Sequence, residues 1–315
     1  MYQIGIDIGG TSIKIGLVDE TLSIVRRGRL PFRCIGGENV AAEIAEEINN
    51  VLSPDLTISD IESIGVVLPG SIDKEQSTVL DAHNLDFHNV PFRKYLQNHF
   101  PDTPVYLAND ADGAALAELG RGAFVGCQTA VLLTLGTGVG GGVIIGGKMF
   151  SGGTGRGIEL GHMSLVNGGE PCTCGNPGCV EAYCSATGLI REGKRAMKHA
   201  PESALYAKSG GDENLIDAKF VIDCAKEGDP TAKQVVDTYL DHLAAACISV
   251  VHLLDPEVIA IGGGVSHAGD FLFEPLSKLV DKKCFFSSHT KVVPAVMGND
   301  AGIIGAAMLY VNASK

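Results

Sequence analysis

One short design occurs twice in this chain. Ile4, Ile6 and Ile8 alternate, Gly9-Gly10-Thr11-Ser12 turns the chain, and Ile13, Ile15 and Leu17 alternate again. A period of two on either side of a glycine turn marks a β-hairpin with a buried face. Residues 130–135, the turn Gly136-Thr137-Gly138, and Val143-Ile144-Ile145 repeat it. Between the hairpins, Val40, Ile44, Ile48 and Val51 keep a helical period. Residues 64–68 read as a buried strand stopping at Pro69-Gly70, residues 105–108 as one stopping at Asn109-Asp110, and residues 114–119 as helix. After the second hairpin, residues 231–254 read as a long helix halted by Asp255-Pro256. Residues 258–261 form a strand before Gly262-Gly263-Gly264, and residues 302–311 a closing helix rich in Ala and Gly, expected to pack closely. Strands alternating with helices predict an α/β chain, and the repeated hairpin points to two related halves.

The 315 residues are enough for about two domains. No low-complexity linker separates them, so the boundary near residues 115–122 is expected to be a hinge. Apolar residues make up 45% and charged residues 19%, which supports a sizeable core. Lys and Arg number 24 against 37 acids, a net charge of −13. That field repels phosphate backbones and anionic lipid, so nucleic acid and membrane are not expected partners. The longest uncharged run, residues 122–147, could span a bilayer by length, but its clustered glycines favour strand, turn and strand. The first residues show no basic stretch followed by an apolar one, hence no visible signal peptide. Nine cysteines, six scattered and three bunched, fit a reducing cytoplasm with one local metal site better than a disulfide scaffold.

Four glycine or strand-end motifs could carry chemistry. The turn from Asp7 to Lys14 holds Gly9, Gly10 and Thr11, where backbone N–H groups can approach a phosphate because no Cβ intervenes. Asp7 could hold a Mg²⁺–water cluster. The same turn also reads as an ordinary tight hairpin, and it is not a P-loop. Gly136-Thr137-Gly138 gains meaning as its counterpart, since two such turns could grip the phosphates of one nucleotide. Gly262-Gly263-Gly264, read as a turn before a helix, could seat an adenosine or its α-phosphate. Asn109-Asp110 offers an amide for one hydroxyl and a carboxylate to accept the proton of another, or simply caps the next helix.

The fifth motif is the most specific. His162 precedes Cys172-Thr173-Cys174-Gly175-Asn176-Pro177-Gly178-Cys179-Val180-Glu181. Three thiolates and one imidazole match a closed, four-coordinate structural zinc site, with no spare ligand for activating water. Glu159 and Glu181 flank it and could accept hydrogen bonds from sugar hydroxyls. The remaining histidines, His83 and His88 among them, show no metal-ligand spacing and read as ordinary surface or core residues.

On these residues the sequence resembles the ROK family, sugar kinases and related repressors of the actin-like ATPase superfamily. The resemblance runs nearly end to end: residues 7–14, Pro69-Gly70, Asn109-Asp110, residues 135–138, Glu159-Leu160-Gly161-His162, the Cys block and Gly262 to Gly264. It implies a two-lobed actin-like ATPase (ribonuclease H-like) fold with a zinc-stabilised loop in the larger lobe. The small lobe would be residues 1–118 joined by a closing helix at 300–315, and the larger lobe residues 119–299. It implies Asp110 as general base, and Gly70, Asn84, Asn109, Glu159, His162 and Glu181 as sugar-side residues. ATP with Mg²⁺ would meet Asp7, Gly9, Gly10, Thr11, Lys14, Gly136, Thr137, Gly138, Gly262, Gly263 and Gly264. Zn²⁺ would be held by His162, Cys172, Cys174 and Cys179. Two departures touch the sugar pocket: Ile158 stands where the family usually has Gly, and residues 84–89 lack the Pro- and Trp-containing version common in glucokinases.

The expected activity is an ATP-dependent hexokinase acting on the 6-hydroxyl of glucose or a close relative, in a cytoplasmic homodimer. Kinases for N-acetylmannosamine, N-acetylglucosamine or allose are the rival readings among enzymes. A sugar-responsive repressor would need an N-terminal helix-turn-helix ahead of Asp7. A non-catalytic sugar-binding module would not need the base or the phosphate turns.

Overall fold

A computed structural model describes residues 1–155, 157–285, 287 and 289–313. The strands are β1 (Tyr2–Ile8), β2 (Ser12–Val18), β3 (Ile24–Pro31), β4 (Ile61–Leu68), β5 (Ser71–Ile72), β6 (Val79–Ala82), β7 (Phe87–Val90), β8 (Val105–Asn109), β9 (Thr129–Leu135), β10 (Val139–Ile145), β11 (Lys148–Met149), β12 (Val258–Gly262) and β13 (Lys291–Pro294). The helices used below are α1 (Gly37–Leu52), α2 (Phe92–His99), α3 (Asp110–Arg121), α4 (Val180–Cys184), α5 (Ala186–His199), α6 (Ala204–Ser209), α7 (Ala218–Lys226), α8 (Pro230–Leu254), α9 (Asp270–Lys283), α10 (Ala301–Ala307) and α11 (Leu309–Ala313).

Two five-stranded sheets share one plan. The first runs β3-β2-β1-β4-β8 and the second β11-β10-β9-β12-β13. In each, an antiparallel pair forms one edge, and the central strand pairs in parallel with a strand that in turn pairs in parallel with the last. The repeated glycine hairpin is thus the visible part of a repeated sheet. A third sheet, β5-β6-β7, was not legible from alternation, because its strands are only two to four residues long.

Chain contacts divide the molecule into two units. Unit one holds residues 1–128, 142–158 and 296–315, and unit two residues 129–141 and 159–295. The division does not fall at residue 118, and there is a physical reason. Helix α3 runs unbroken through residues 115–121, the expected hinge. The buried Glu118 carboxylate then accepts hydrogen bonds from the N–H groups of Ala123 (2.7 Å), Val296 (2.8 Å) and Met297 (2.9 Å). It fastens the end of α3 to the chain on both sides.

In unit one, Ile4, Ile6, Ile8, Ile13 and Ile15 form a core with Val40, Ile44, Ile48 and Val51 of α1. The other side of the sheet is shaped by glycine. Gly5 pairs with Gly16 on β2 and with Gly65 on β4, a row of three across the sheet. Helix α10 lies in this groove: a Cβ on Gly5 would stand 2.9 Å from the carbonyl carbon of Ile303, and one on Gly65 2.5 Å from that of Ala306. On α10 itself, a Cβ on Gly305 would stand 2.9 Å from the Cα of Gly113 on α3. The closing segment is therefore closely packed, as its composition predicts. It is not one helix: Met308 interrupts it, leaving α10 and α11. Ser314 and Lys315 of the expected closing helix lie outside the described residues.

In unit two, α9 packs against β13 and against α8, which also packs against α4, α5, α6 and α7. Helix α8 begins at Pro230, with the Asp229 carboxylate capping the N–H of Ala232 at 2.7 Å. Leu240, Leu243, Cys247, Val250 and Val251 are buried along it. Among the described residues no helix is long and apolar enough to cross a membrane; the uncharged run at 122–147 forms β9, its turn and β10.

Candidate functional site

Parallel pairing gathers the unit-one motifs. Asp7 pairs with Val67 and Leu68 with Asn109, so β1, β4 and β8 end on one edge of the sheet. The carboxyl edge of such a sheet is where open α/β folds bind ligands. The Asp7-to-Thr11 turn, Gly70 and Asn109-Asp110 are far apart in sequence and share this edge because each follows a parallel strand.

The turn is held by Gly9 N–H donating to Ser12 O at 3.0 Å, and Gly10 and Thr11 are exposed at its tip. Asp7 and Lys14 are cross-strand partners, with Lys14 Nζ 2.8 Å from Asp7 Oδ2. A Cβ on Gly302 of α10 would stand 2.6 Å from Asp7 Cγ, so the carboxylate keeps its place only because residue 302 is glycine. Sequence patterning treats Gly302 as helix composition; its contact with Asp7 is tertiary. Asn84 lies in a single 3-10 turn, His83–Leu85, and its carbonyl oxygen is 3.9 Å from a Cβ built on Gly10.

Asn109 is the N-cap of α3. Its Oδ1 accepts from Ala111 N–H at 2.8 Å and its Nδ2 donates to Gly70 O at 2.9 Å. The capping reading is therefore correct, and one amide N–H and one lone pair remain for a hydroxyl. Gly70 has φ of +114°, and a Cβ there would be 2.8 Å from that of Ala82. Both the conformation and the space call for glycine. Asp110 is the first residue of α3, exposed, with Oδ1 accepting from Ala111 N–H at 2.9 Å. A helix N-terminus favours a carboxylate. Beside these residues a recess of ≈ 60 Å³ is lined by Asn109, Asp112, Ser151 and Lys74 among others, room for only a few waters.

Unit two repeats the arrangement. Gly262 pairs with Thr134, so the turns after β9 and β12 are neighbours, and a Cβ on Gly263 would stand 2.6 Å from the carbonyl carbon of Leu135. Gly136 N–H donates to Gly138 O at 3.0 Å. The start of α5 abuts this turn: Ala186 N–H donates to Gly136 O at 2.8 Å and Thr187 Oγ1 to Thr137 O at 2.7 Å. Thr187 is a further residue at the turn, and its only sequence signal is the Ser185 cap before it. Gly262-Gly263-Gly264 does not precede a helix directly. A 3-10 stretch, Gly264–Ala268, intervenes, and α9 starts after Gly269.

Glu159 is exposed, at the start of the Leu160–His162 turn. Ile158, before it, is not among the residues with positive φ; that conformation falls to Gly157, at +92°. The bulky residue therefore needs no strained backbone. Glu181 is more than a sugar-side candidate. Its Oε2 accepts from Val139 N–H at 3.1 Å and its Oε1 from the Thr173 hydroxyl at 2.8 Å, tying the second glycine turn to the Cys loop.

His162, Cys172, Cys174 and Cys179 come together, each offering one atom within 4.8 Å of the others. Cys172 Sγ is 3.6 Å from His162 Nδ1, and Cys174 Sγ is 3.6 Å from Cys179 Sγ. With Zn–S of about 2.3 Å and Zn–N of about 2.0–2.1 Å, tetrahedral corners stand roughly 3.6–3.8 Å apart, so the set fits. Backbone bonds align the halves of the loop: Val180 N–H donates to Met163 O at 2.9 Å and Leu165 N–H to Gly178 O at 2.7 Å. Burial, with Cys174 and Cys172 beside it, pushes the Cys179 thiol up to about 12. A cation would be required to hold it as thiolate at neutral pH.

The ROK family matches over residues 3–313. The chain belongs to the ROK family. It is 40% identical to a glucokinase of Thermotoga maritima over 314 residues, covering 97% of this chain and 96% of that one. Among solved structures, a ROK family glucokinase of Streptomyces griseus in complex with glucose and AMPPNP has TM-score 0.80 and 32% identity, covering 98% of this chain and 99% of the other. A ROK hexokinase of Thermus thermophilus has TM-score 0.85 and 30% identity over 100% and 99% of the two chains. The fold is thus the α/β actin-like ATPase fold of ROK kinases.

Proposed function

We infer that this ROK protein is an ATP-dependent hexokinase that phosphorylates the 6-hydroxyl of glucose or a closely related hexose. The observation that carries the reading is Asp110: an exposed carboxylate on the same carboxyl edge of the sheet as the Gly9-Gly10 turn, in a chain similar to glucokinases along nearly its whole length. Phosphoryl transfer to an alcohol needs a base for the hydroxyl proton and donors for the charge on the phosphate oxygens. Asp110 accepts that proton as the new O–P bond forms and the bond from the γ-phosphorus to its bridging oxygen breaks, releasing ADP. Asn109, fixed at Gly70 and Ala111, offers its remaining N–H to a neighbouring hydroxyl. Gly70, Asn84, Glu159, His162 and Glu181 serve the sugar. N–H groups at Gly9, Gly10, Thr11, Gly136, Thr137 and Gly138, with Lys14, stabilise the phosphates, while Gly262 to Gly264 take the adenosine side. Mg²⁺ bound with ATP neutralises phosphate charge, and Asp7 Oδ1 is the carboxylate oxygen left for its water shell once Oδ2 pairs with Lys14. Excluding water keeps the hexose as acceptor.

The reading extends to a cytoplasmic homodimer with one structural Zn²⁺ per chain, supported for the metal by the fit of His162, Cys172, Cys174 and Cys179. The decisive experiment is coupled ADP release over a panel of glucose, mannose, allose, N-acetylmannosamine and N-acetylglucosamine, with wild type and Asp110→Asn. Glucose or a near relative should lead the panel. Asp110→Asn should lower kcat by a factor of about 10³ or more while leaving Tm unchanged. Near-wild-type turnover in that variant would remove Asp110 as the base. An acetylated amino sugar at the head of the panel would replace the substrate assignment.

A further inference from the structure

The β6-β7 hairpin carries a second cluster of metal-ligating side chains, separate from the Cys loop. Its register sets Asp81 on β6 opposite His88 on β7. His83 follows β6 directly, as the first residue of the His83–Leu85 turn. Asp81 Oδ2 lies 3.0 Å from His83 Nε2, and Asp81 Oδ1 lies 2.8 Å from His88 Nδ1. One ligand atom from each of the three stands within 4.8 Å of the other two. Asp86 adds a second carboxylate, its Oδ1 3.6 Å from His88 Nε2.

An ordinary surface His–Asp pair would explain these distances if N–H groups pointed at the carboxylate. They do not. Asp81 Oδ1 is buried, and among the described residues it accepts no hydrogen bond, although an imidazole nitrogen is within contact distance. A buried acceptor left without a donor is costly. A cation drawn to the same point would satisfy the carboxylate and the ring nitrogens together.

We propose that Asp81, His83 and His88 form a binding site for a divalent transition-metal ion of the zinc class. Two imidazoles and one carboxylate suit borderline ions, whereas Mg²⁺ and Ca²⁺ take oxygen ligands. Three protein ligands leave one position of a tetrahedron to water. His83 is 84% exposed and His88 54%, so the ion exchanges with solvent. Because the ligands stand on both sides of residues 84–86, a bound ion ties the two strands together across that turn. The sequence conceals the site, since Asp81 and His88 become neighbours only through the hairpin register.

The test uses the full chain with the Cys loop already loaded with Zn²⁺, dialysed against added Zn²⁺ and, separately, Co²⁺ in the presence of excess Mg²⁺. Wild type should bind one further equivalent, and its Co²⁺ spectrum should lack thiolate-to-metal charge transfer. His83→Ala/His88→Ala should lose that equivalent, keep the first, and keep the wild-type Tm without added metal. His88→Ala alone should weaken it at least tenfold. No further equivalent in wild type overturns the proposal. So does equal binding by the double variant, or competition by Mg²⁺. Hexokinase activity enters none of these readouts.

Discussion

Gly65→Ala probes the packing that holds unit one together. Two effects oppose each other. Replacing glycine in a strand lowers the entropy of the unfolded chain, which favours the variant by about 0.4–1 kcal/mol where the residue fits. Here it does not fit. The new Cβ would stand 2.5 Å from the carbonyl carbon of Ala306, against a comfortable carbon–carbon contact of about 3.5–4.0 Å. The obstacle is backbone, not the end of a flexible side chain, so α10 must retreat by roughly 1 Å or more. Retreat loosens Ile303, Ile304, Ala306 and Ala307, all now buried. Overpacking in close-packed cores costs about 1–3 kcal/mol, and a rigid neighbour places this case at or above the upper end. The clash wins, with a net loss near 2–3 kcal/mol, equivalent to a fall in Tm of roughly 5–10 °C for a unit of this size. Thermal unfolding should be compared with Gly153→Ala, where a Cβ meets nothing within 4 Å. If the two variants melt within a degree of each other, the glycine row does not seat α10.

Three further outcomes are expected. Glu118→Gln keeps the shape but turns one carboxylate oxygen into a donor facing a backbone N–H, so chemical denaturation should show a loss of about 1–3 kcal/mol, and Glu118→Ala a larger one. Burial pushes the Asp73 carboxyl up, but the Ser77 hydroxyl and the N–H groups of Ser77 and Thr78 outweigh it and hold it below the usual carboxylate range. Its folded value is thus depressed; the stability it adds is present above the unfolded carboxylate pKa of about 3.9 and disappears as pH falls through the folded one. Wild type should therefore melt above Asp73→Asn at neutral pH and converge with it in acid, and a constant gap would refute this. Cys179→Ala should abolish zinc at the Cys loop by metal analysis and raise the hexose KM, whereas a full equivalent of zinc in that variant would dismiss the tetrahedral site.

Local elements and ligand types follow from short-range patterns in the sequence. Hairpin alternation, the helical period of α1 and α8, and the strand stops at Gly70, Asn109 and Gly262 depend on neighbours a few residues apart, where local sterics and burial of one face decide. The Cys loop was legible for the same reason, since three ligands lie within eight residues and only His162 is brought in by backbone pairing. Long-range packing sets which strand ends share an edge, that Glu181 bridges a glycine turn and the Cys loop, and that Gly302 leaves room for Asp7. Strand pairing likewise brings Gly5, Gly16 and Gly65 into one groove and Asp81 to His88. Each of these depends on strand register or on the approach of distant backbone, and a one-residue slip in pairing would undo it while leaving every local pattern intact.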